Sequence, residues 1–223
     1  MIPLHKRMES GMKMFTPEEV LHDLATLPQD YKTADVDRLI KGYIAVNADV
    51  SLLREYILTR QELHRIYFFV SLKQMPSAEE RMAFIHGNLL LSDWWHTDQL
   101  IGFVADLPFG TALAYAKEYV RDPDPYIRRW GYVLFISKLG RGRAGELLPL
   151  LHDDESYTVQ MAQAWLISDL AVFEPEFVFA YLECCRLKYS ITGKAVQKIC
   201  DSYRIGDVWK MRFRALRPVL KTR

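Results

Sequence analysis

Helical periodicity runs through most of the chain and constrains the fold more than any other feature. Apolar residues recur at intervals of three and four, which is typical of amphipathic helices. Segment 33–46 is an example, because Val36, Leu39, Ile40 and Tyr43 recur at helical spacing. Alternating runs are short, and no Asn-Gly or Asp-Gly hairpin signal occurs. The sequence therefore predicts an all-α fold without convincing strands.

Helix breakers separate the periodic segments from one another. They are Pro76, Pro108, the "DPDP" of 122–125, the "GRG" of 140–142, Pro175 and Gly206. Helices are predicted over 17–27, 33–46, 50–59, 61–74, 77–91, 93–106, 109–121, 124–139, 143–152, 156–170, 175–185, 190–203 and 206–216. Thr16 is an expected N-cap, with Pro17 at the first helical position and acidic residues in the first turn. Ser77 with Glu80 forms a capping-box pattern.

Some of these helices form pairs that recur along the chain. "DPYIRRWGYVLFISKLG" is followed by "RAGELLPLLHDD", and "SYTVQMAQAWLISDLAVF" is followed by "EPEFVFAYLECC". The first helices of these two pairs begin 31 residues apart, from Tyr126 to Tyr157. A helix pair that recurs every 30 to 45 residues or so is typical of a HEAT-like α-solenoid, in which every second helix lines a concave face. No linker is visible, so one domain over residues 1–223 is predicted.

Charge and cysteine content limit the possible partners and compartment. The chain has 29 Lys and Arg against 28 Asp and Glu, so a basic groove requires that the charges segregate onto different faces. Cys184, Cys185 and Cys200 lack metal-ligand spacing, so we expect small buried side chains in a reducing compartment and no metal. The N-terminus lacks the apolar core of a signal peptide, and no run is long enough to span a membrane. We expect a cytoplasmic protein without a membrane partner.

The stretch "LSDWWHTDQL", residues 91–100, combines two tryptophans with acidic residues. Ser92 or Asp93 is a good N-cap, so a helix is predicted to begin at Trp94. Trp94 and Asp98 are four residues apart and share a face, whereas Trp95 points towards the core. Alternatively, both tryptophans lie in the core, and Asp98 is a surface residue or accepts an indole N–H bond.

Two other helices carry side chains of interest. Arg128 and Arg129 lie in the first turn of a hydrophobic helix, where the macrodipole disfavours cations, so a phosphate or carboxylate partner is indicated. Alternatively, one arginine is solvated and the other forms a structural salt bridge. Trp165 lies in the middle of a helix, where a lone tryptophan commonly packs into the core. These patterns alone leave both interpretations open.

Taken together, "DWWHTD", "IRRWGYVLF" and "VQMAQAWLISDLAVFEPEFVFAYL" resemble, in this order and spacing, the AlkD-like DNA alkylation repair family. "SITGKAVQKI" is similar to the closing helix of that family, and the resemblance covers roughly residues 90–200. It implies a HEAT-like α-solenoid. It also implies a DNA glycosylase that excises cationic N3- and N7-alkylated purines from double-stranded DNA.

The resemblance also implies roles for individual residues. The matching positions are Trp94, Asp98, Arg129, Gln160 and Trp165. Asp98 would be the catalytic carboxylate that stabilises an oxocarbenium-like sugar. Trp94 and Trp165 would flank the lesion with their π faces, and Arg129 would hold a phosphate. No cofactor or metal is implied.

Further cations are candidates for phosphate contacts. They are Arg128, Lys138, Arg141, Arg143, Lys188, Lys194 and Lys198, and the glycine-flanked loop of 138–145 holds three of them. Alternatively, this loop is only a solvated turn. We therefore expect a monomeric glycosylase that acts on duplex DNA with alkylated bases. The alternative is a non-catalytic HEAT-like module that binds distorted or branched nucleic acid, or a protein-binding scaffold.

Overall fold

The computed structural model describes residues 11–136 and 138–222. Over these residues the predicted all-α class is confirmed, since helices pack against helices almost throughout. The chain divides into two compact units, with the break between Ser92 and Asp93. The single domain over residues 1–223 stays a prediction. No helix in the described ranges is long and apolar enough to cross a membrane.

The first unit holds four α-helices and a minimal sheet. The helices are α1 (Pro17–Ala25), α2 (Thr33–Ala45), α3 (Gln61–Lys73) and α4 (Ala78–Gly87). Two strands of two residues each, β1 (Lys13–Met14) and β2 (Ala48–Asp49), pair in parallel. These strands are too short to show an alternating pattern, which explains why the sequence did not indicate them.

Local capping sets the helix boundaries in this unit. The predicted N-cap Thr16 begins α1: its hydroxyl accepts the Glu19 N–H, and the Glu19 carboxylate accepts the Thr16 N–H, which completes a capping box. Ser77 likewise accepts the N–H of Glu80 at the start of α4. The helix predicted over 50–59 is wrong: a 3-10 turn covers Ser51–Glu55. Asp49 accepts the Ser51 N–H at 2.8 Å, a side-chain bond that competes with regular α-helical pairing.

In its described residues, the second unit contains eight α-helices. They are α5 (Trp94–Asp98), α6 (Phe109–Tyr119), α7 (Pro125–Val133), α8 (Ala144–Leu147), α9 (Tyr157–Phe173), α10 (Pro175–Cys184), α11 (Tyr189–Asp201) and α12 (Asp207–Lys221). Three predicted helices are shorter than expected. The 93–106 segment is α5 plus a 3-10 turn at Ile101–Phe103, and the 124–139 segment leaves α geometry after Val133. The 143–152 segment becomes a 3-10 turn at Leu148, next to Pro149.

The helices of the second unit contact one another in two rows. In one row α5 contacts α7, α7 contacts α9, and α9 contacts α11. In the other row α8 contacts α10, and α10 contacts α12, while α6, α10 and α12 each also pack against the first row. Every second helix therefore belongs to the same row, and α5, α7, α9 and α11 carry the side chains singled out from the sequence.

Close packing fixes α7 between its neighbours. A Cβ atom added at Gly131 would lie 2.9 Å from Val120 Cγ1 and 3.1 Å from Tyr119 Cβ, at the end of α6. Glycine therefore allows α6 and α7 to approach more closely than a larger residue would. The adjacent Trp130 and Tyr132 are fully buried, so α7 is held firmly at the position from which Arg129 projects.

Candidate active site

The short helix α5 presents Trp94 and Asp98 to solvent. The Asp93 side chain accepts the Trp94 N–H at 2.6 Å, so the helix begins at Trp94 as predicted. Trp94 is 57% exposed, and the side chain of Asp98 is 21% exposed. Burial of both tryptophans is therefore excluded, because Trp94 lies largely in solvent.

The opposite side of α5 faces the interior. Trp95 is half-buried, and its ring lies edge-on to the imidazole of His96 with 3.9 Å between centroids. His96 is only 3% exposed, and this burial lowers its pKa to about 4. His96 is consequently a neutral, packed side chain near pH 7, and it anchors the helix that carries Asp98.

A buried arginine connects three helices of the same row. The Arg129 side chain, 5% exposed, donates from Nη2 to Asp98 Oδ1 at 2.7 Å. It also donates from Nε to Thr97 Oγ1 at 2.9 Å and from Nη1 to the Thr158 carbonyl at 3.0 Å. The first-turn cation of α7 thus has a carboxylate partner, one of the two partners predicted. This buried geometry does not favour the expected direct contact of Arg129 with a phosphate. We interpret Arg129 as a residue that positions Asp98.

The two oxygens of Asp98 differ in their surroundings. Oδ1 accepts from Arg129 and lies 3.0 Å from the buried Thr97 hydroxyl. Oδ2 accepts no hydrogen bond from any residue that the structure describes. The carboxylate is therefore fixed through one oxygen and offers the other to a bound molecule or water.

Trp165 lies on the same side of α9 as the Arg129 contact. Thr158, Met161 and Trp165 are half-buried and follow one another at three- and four-residue spacing. Arg129 reaches the first of these residues, and Trp165 lies seven residues further on, about 10 Å along the helix axis. Trp165 lines an open cleft of about 320 Å³ together with Asp169, Lys198 and Arg204. Trp165 thus lies on the side of α9 that Arg129 contacts, and Arg129 connects that side to Asp98.

Gln160 and Lys194 connect α9 to α11 beside this face. Lys194 Nζ donates to Gln160 Oε1 at 3.0 Å and to the Ser190 carbonyl at 2.6 Å. The same ammonium group lies 5.4 Å from the centroid of the Tyr157 ring. Gln160 in turn donates to the Asp154 carbonyl. Lys194 has no carboxylate partner among the described residues.

Arg128 serves the fold rather than a ligand. Its Nε and Nη2 donate to the two oxygens of Asp154 at 2.7 and 3.2 Å, and Nη1 donates to the carbonyls of Asp122 and Pro123. Four of its five N–H groups are therefore used within the protein. This geometry favours a structural ion pair for Arg128, whose expected phosphate contact stays a prediction. The Arg128 guanidinium lowers the pKa of Asp154 against the effect of burial.

Carboxylates also neutralise several of the other candidate cations. Lys138 pairs with Asp106, Arg143 with Glu146, and Lys188 with Glu155. Arg141 has no such pair and lies 4.9 Å from the centroid of the Phe173 ring. The glycine-flanked loop of 138–145 is therefore less positive than its sequence suggests.

No protein-family model matches this chain, and no curated protein matches its sequence. The function of the site is therefore inferred from its own geometry.

In the described part of the chain, no group of three or more His, Cys, Asp or Glu residues could hold a metal ion. The prediction of buried cysteines is wrong, since Cys184 is exposed and the other two are half-buried.

Two contributors to the site have no sequence signal. Thr97 is fully buried, and its hydroxyl oxygen accepts from Arg129 beside Asp98. Arg204 reaches back from the segment before α12 to pair with the buried Asp169 at 2.8 Å, on the wall of the Trp165 cleft. The sequence separation of these pairs, about 30 residues, hides them from any local pattern.

Proposed function

We propose that this protein is a DNA glycosylase that excises cationic alkylated purines, of the 3-methyladenine and 7-methylguanine type, from duplex DNA. The observation that carries the proposal is the Asp98 carboxylate, whose Oδ1 is anchored by Arg129 and whose Oδ2 accepts no hydrogen bond from any described residue, on the helix that also exposes Trp94. We further propose that the two rows of helices are the repeats of a HEAT-like α-solenoid. Contacts between every second helix, from α5 to α11, support this interpretation.

The chemistry follows from the charge of the substrate. An alkylated purine carries a positive charge that weakens its N-glycosidic bond. When this bond breaks, the base leaves as a neutral molecule with the bonding electrons, and the sugar becomes an oxocarbenium-like cation. Asp98 Oδ2 would stabilise this cation and accept a hydrogen bond from a water that attacks the anomeric carbon. The products are the free base, an abasic site and one proton.

Aromatic rings would hold the cationic base before it leaves. Trp94 and Trp165 are the tryptophans of this face with accessible rings, one on α5 and one in the α9 cleft. A cation over an indole face gains about 0.5–2 kcal/mol, depending on how much water is excluded. Because this attraction requires a charged base, it would favour alkylated purines over undamaged ones.

Arg129 would contribute by preorganisation. A carboxylate that is already oriented does not need to be reorganised while charge develops on the sugar. The three hydrogen bonds of Arg129 to Asp98, Thr97 and Thr158 fix the carboxylate relative to both α5 and α9. Because only Oδ1 is bonded, the free oxygen still presents negative charge to the sugar.

Base release tests the proposal. Duplex DNA that contains 7-methylguanine is incubated with excess protein, and the free base is quantified by chromatography. The wild-type protein is expected to release 7-methylguanine and to release no guanine from the unmodified duplex. If it binds the duplex and releases no base, the non-catalytic nucleic-acid module is the better interpretation.

A further inference from the structure

Positive charge is concentrated at the C-terminal end of the chain. Residues 189–222 contain eight lysines and arginines against two acidic residues, in a chain whose formal net charge is only +1. The remaining residues therefore carry a net negative charge. This is the segregation that a nearly neutral chain needs in order to bind a polyanion.

Helix α12 sorts its residues into three stripes. The inward-facing stripe is formed by the buried Phe213, Leu216 and Leu220 together with the half-buried Trp209. The basic stripe follows at the same helical spacing and consists of Lys210, Arg214, Arg217 and Lys221. A third stripe, with Val208, Met211 and Val219, is apolar and exposed.

The contacts of Arg217 fix the direction in which the basic stripe points. Arg217 donates from Nε to the Tyr189 hydroxyl at 3.1 Å and from Nη1 to Gln197 Oε1 at 2.9 Å, and both partners lie on α11. Gln197 is exposed, so the basic stripe borders the solvent face of α11. Lys194 and Lys198 lie on that helix, four residues apart, and Lys198 lines the cleft of Trp165.

Several of these cations are free, in contrast to those of the 138–145 loop. Lys198, Arg214 and Lys221 form no ion pair with any carboxylate that the structure describes. Lys138 and Arg143 are both paired with acidic side chains. Most of the charge available to a phosphate is therefore on α11 and α12, beyond Trp165, while on the loop only Arg141 lacks a carboxylate pair among the described residues.

We propose that this C-terminal basic surface, comprising Lys194, Lys198, Arg214, Arg217 and Lys221, binds the phosphates of the duplex that flank the lesion. The inference rests on the proposed function, because duplex DNA is the substrate there. From Arg214 to Lys221 the α12 part of this surface extends about 10 Å along the helix. One DNA strand carries a phosphate about every 3.4 Å of helix axis, so this part matches about three successive phosphates.

A duplex fits this surface better than an anionic membrane does. A helix that lies in a membrane interface buries an apolar face and carries its Lys and Arg residues on the polar face. On α12 four cations lie together on one side of the exposed apolar stripe. On the other side, Arg212 is stacked on Phe179 and Trp209, with 4.6 and 4.3 Å from its Cζ to the ring centroids. The basic stripe instead continues onto Lys194 and Lys198 beside the proposed site.

The test uses two matched double variants of the full chain. Arg214→Gln with Lys221→Gln removes two exposed, unpaired cations of the basic surface. Lys117→Gln with Arg121→Gln removes two exposed cations that line a different cleft of the same unit, next to His152. Affinity for a labelled, undamaged 20-base-pair duplex is measured by fluorescence anisotropy from 50 to 200 mM salt, and base release from the methylated duplex is measured in parallel.

The first variant is expected to bind about tenfold more weakly at 50 mM salt, with a log–log salt slope shallower by about 1.8, while the second binds as the wild type does. The inference is overturned if the first variant keeps the wild-type slope, if the second variant alone loses it, or if the wild type does not bind duplex. Binding to phosphatidylserine vesicles is compared for the same proteins. The inference is also overturned if the first variant loses vesicle binding while its affinity for the duplex is unchanged. Normal salt dependence without base release by the wild type would refute the glycosylase proposal and still support this surface.

Discussion

Arg129 Nη2 donates to Asp98 Oδ1 at 2.7 Å, across the contact between α7 and α5. The guanidinium is buried, whereas the carboxylate is partly exposed, so the pair presents an oriented anion at the surface without exposing its cation. This asymmetry distinguishes the pair from a surface salt bridge. The Arg129–Asp98 pair contributes to the free energy of unfolding and also presents the Asp98 carboxylate to a ligand. These two contributions can be measured separately.

Replacing Arg129 by methionine is expected to destabilise the protein by about 2–4 kcal/mol, because Thr97, Asp98 and the Thr158 carbonyl lose a charged donor in a buried position. Urea unfolding at pH 7 measures the change. In a double-mutant cycle with Asp98→Asn, we expect a coupling energy of about 1 kcal/mol or more. Additive changes would show that the two side chains do not support each other.

Arg128→Met tests whether Arg128, the neighbour of Arg129, stabilises the fold without contacting nucleic acid. Loss of the bidentate pair with Asp154 is expected to cost about 2–4 kcal/mol of unfolding free energy, because Asp154 is buried and loses its partner. The salt slope of duplex binding should not change, because the Arg128 guanidinium already donates hydrogen bonds to Asp154 and to two backbone carbonyls. A log–log salt slope of duplex binding that is shallower by about one unit would instead support the phosphate contact predicted from the sequence.

His96 makes the stability of the protein sensitive to acid. In the unfolded chain its pKa is about 6.5, and in the folded protein burial lowers it to about 4, so only the unfolded state takes up a proton between these values. Stability from this group is complete above pH 6.5 and declines as the pH falls towards 4. Between pH 7 and pH 5 the loss is about 2 kcal/mol.

Urea unfolding of the wild type and of His96→Asn at both pH values checks this expectation. The variant should lose about 2 kcal/mol less than the wild type over this interval, because Asn does not titrate. The comparison cancels the contribution of the other titrating groups. Equal losses in the two proteins would mean that His96 is protonated equally in the folded and unfolded states.

Trp94→Ala tests whether the exposed indole serves a ligand. Because Trp94 is mostly exposed, the unfolding free energy should change by less than about 1 kcal/mol. Base release from the methylated duplex should fall by about tenfold or more, as expected for loss of a cation–π contact of 1–2 kcal/mol. Tyr203→Ala, at an even more exposed aromatic, is the control and should leave release unchanged. Release at the wild-type rate by Trp94→Ala would remove that tryptophan from the site.

The helices and caps could be predicted largely from the sequence, because their signals are local. Thr16 and Pro17 mark the start of α1, and Asp93 marks the start of α5, through bonds within three residues. The 3-10 turns were predicted as helix because apolar spacing does not distinguish short turns of 3.0 residues from α-helix. At Ser51 the deciding bond comes from Asp49, a side chain just outside the predicted segment.

The site could be predicted only in part. The spacing of Trp94 and Asp98 places them on one face, as the structure shows by their exposure. The partner of each arginine depends on tertiary contacts: Asp154 is 26 residues from Arg128, and Asp98 is 31 residues from Arg129. Net charge also concealed the basic surface, since a total does not record which cations are already paired.

The most direct test of the proposed activity is the single-turnover rate of 7-methylguanine release by Asp98→Asn compared with wild type. Asp106→Asn is the matched control, because Asp106 is an exposed carboxylate of the same unit that pairs with Lys138. We predict that Asp98→Asn lowers the rate by about 100-fold or more, while Asp106→Asn stays within about twofold of wild type. A rate for Asp98→Asn equal to that of wild type, or no release by the wild-type protein itself, would contradict the account.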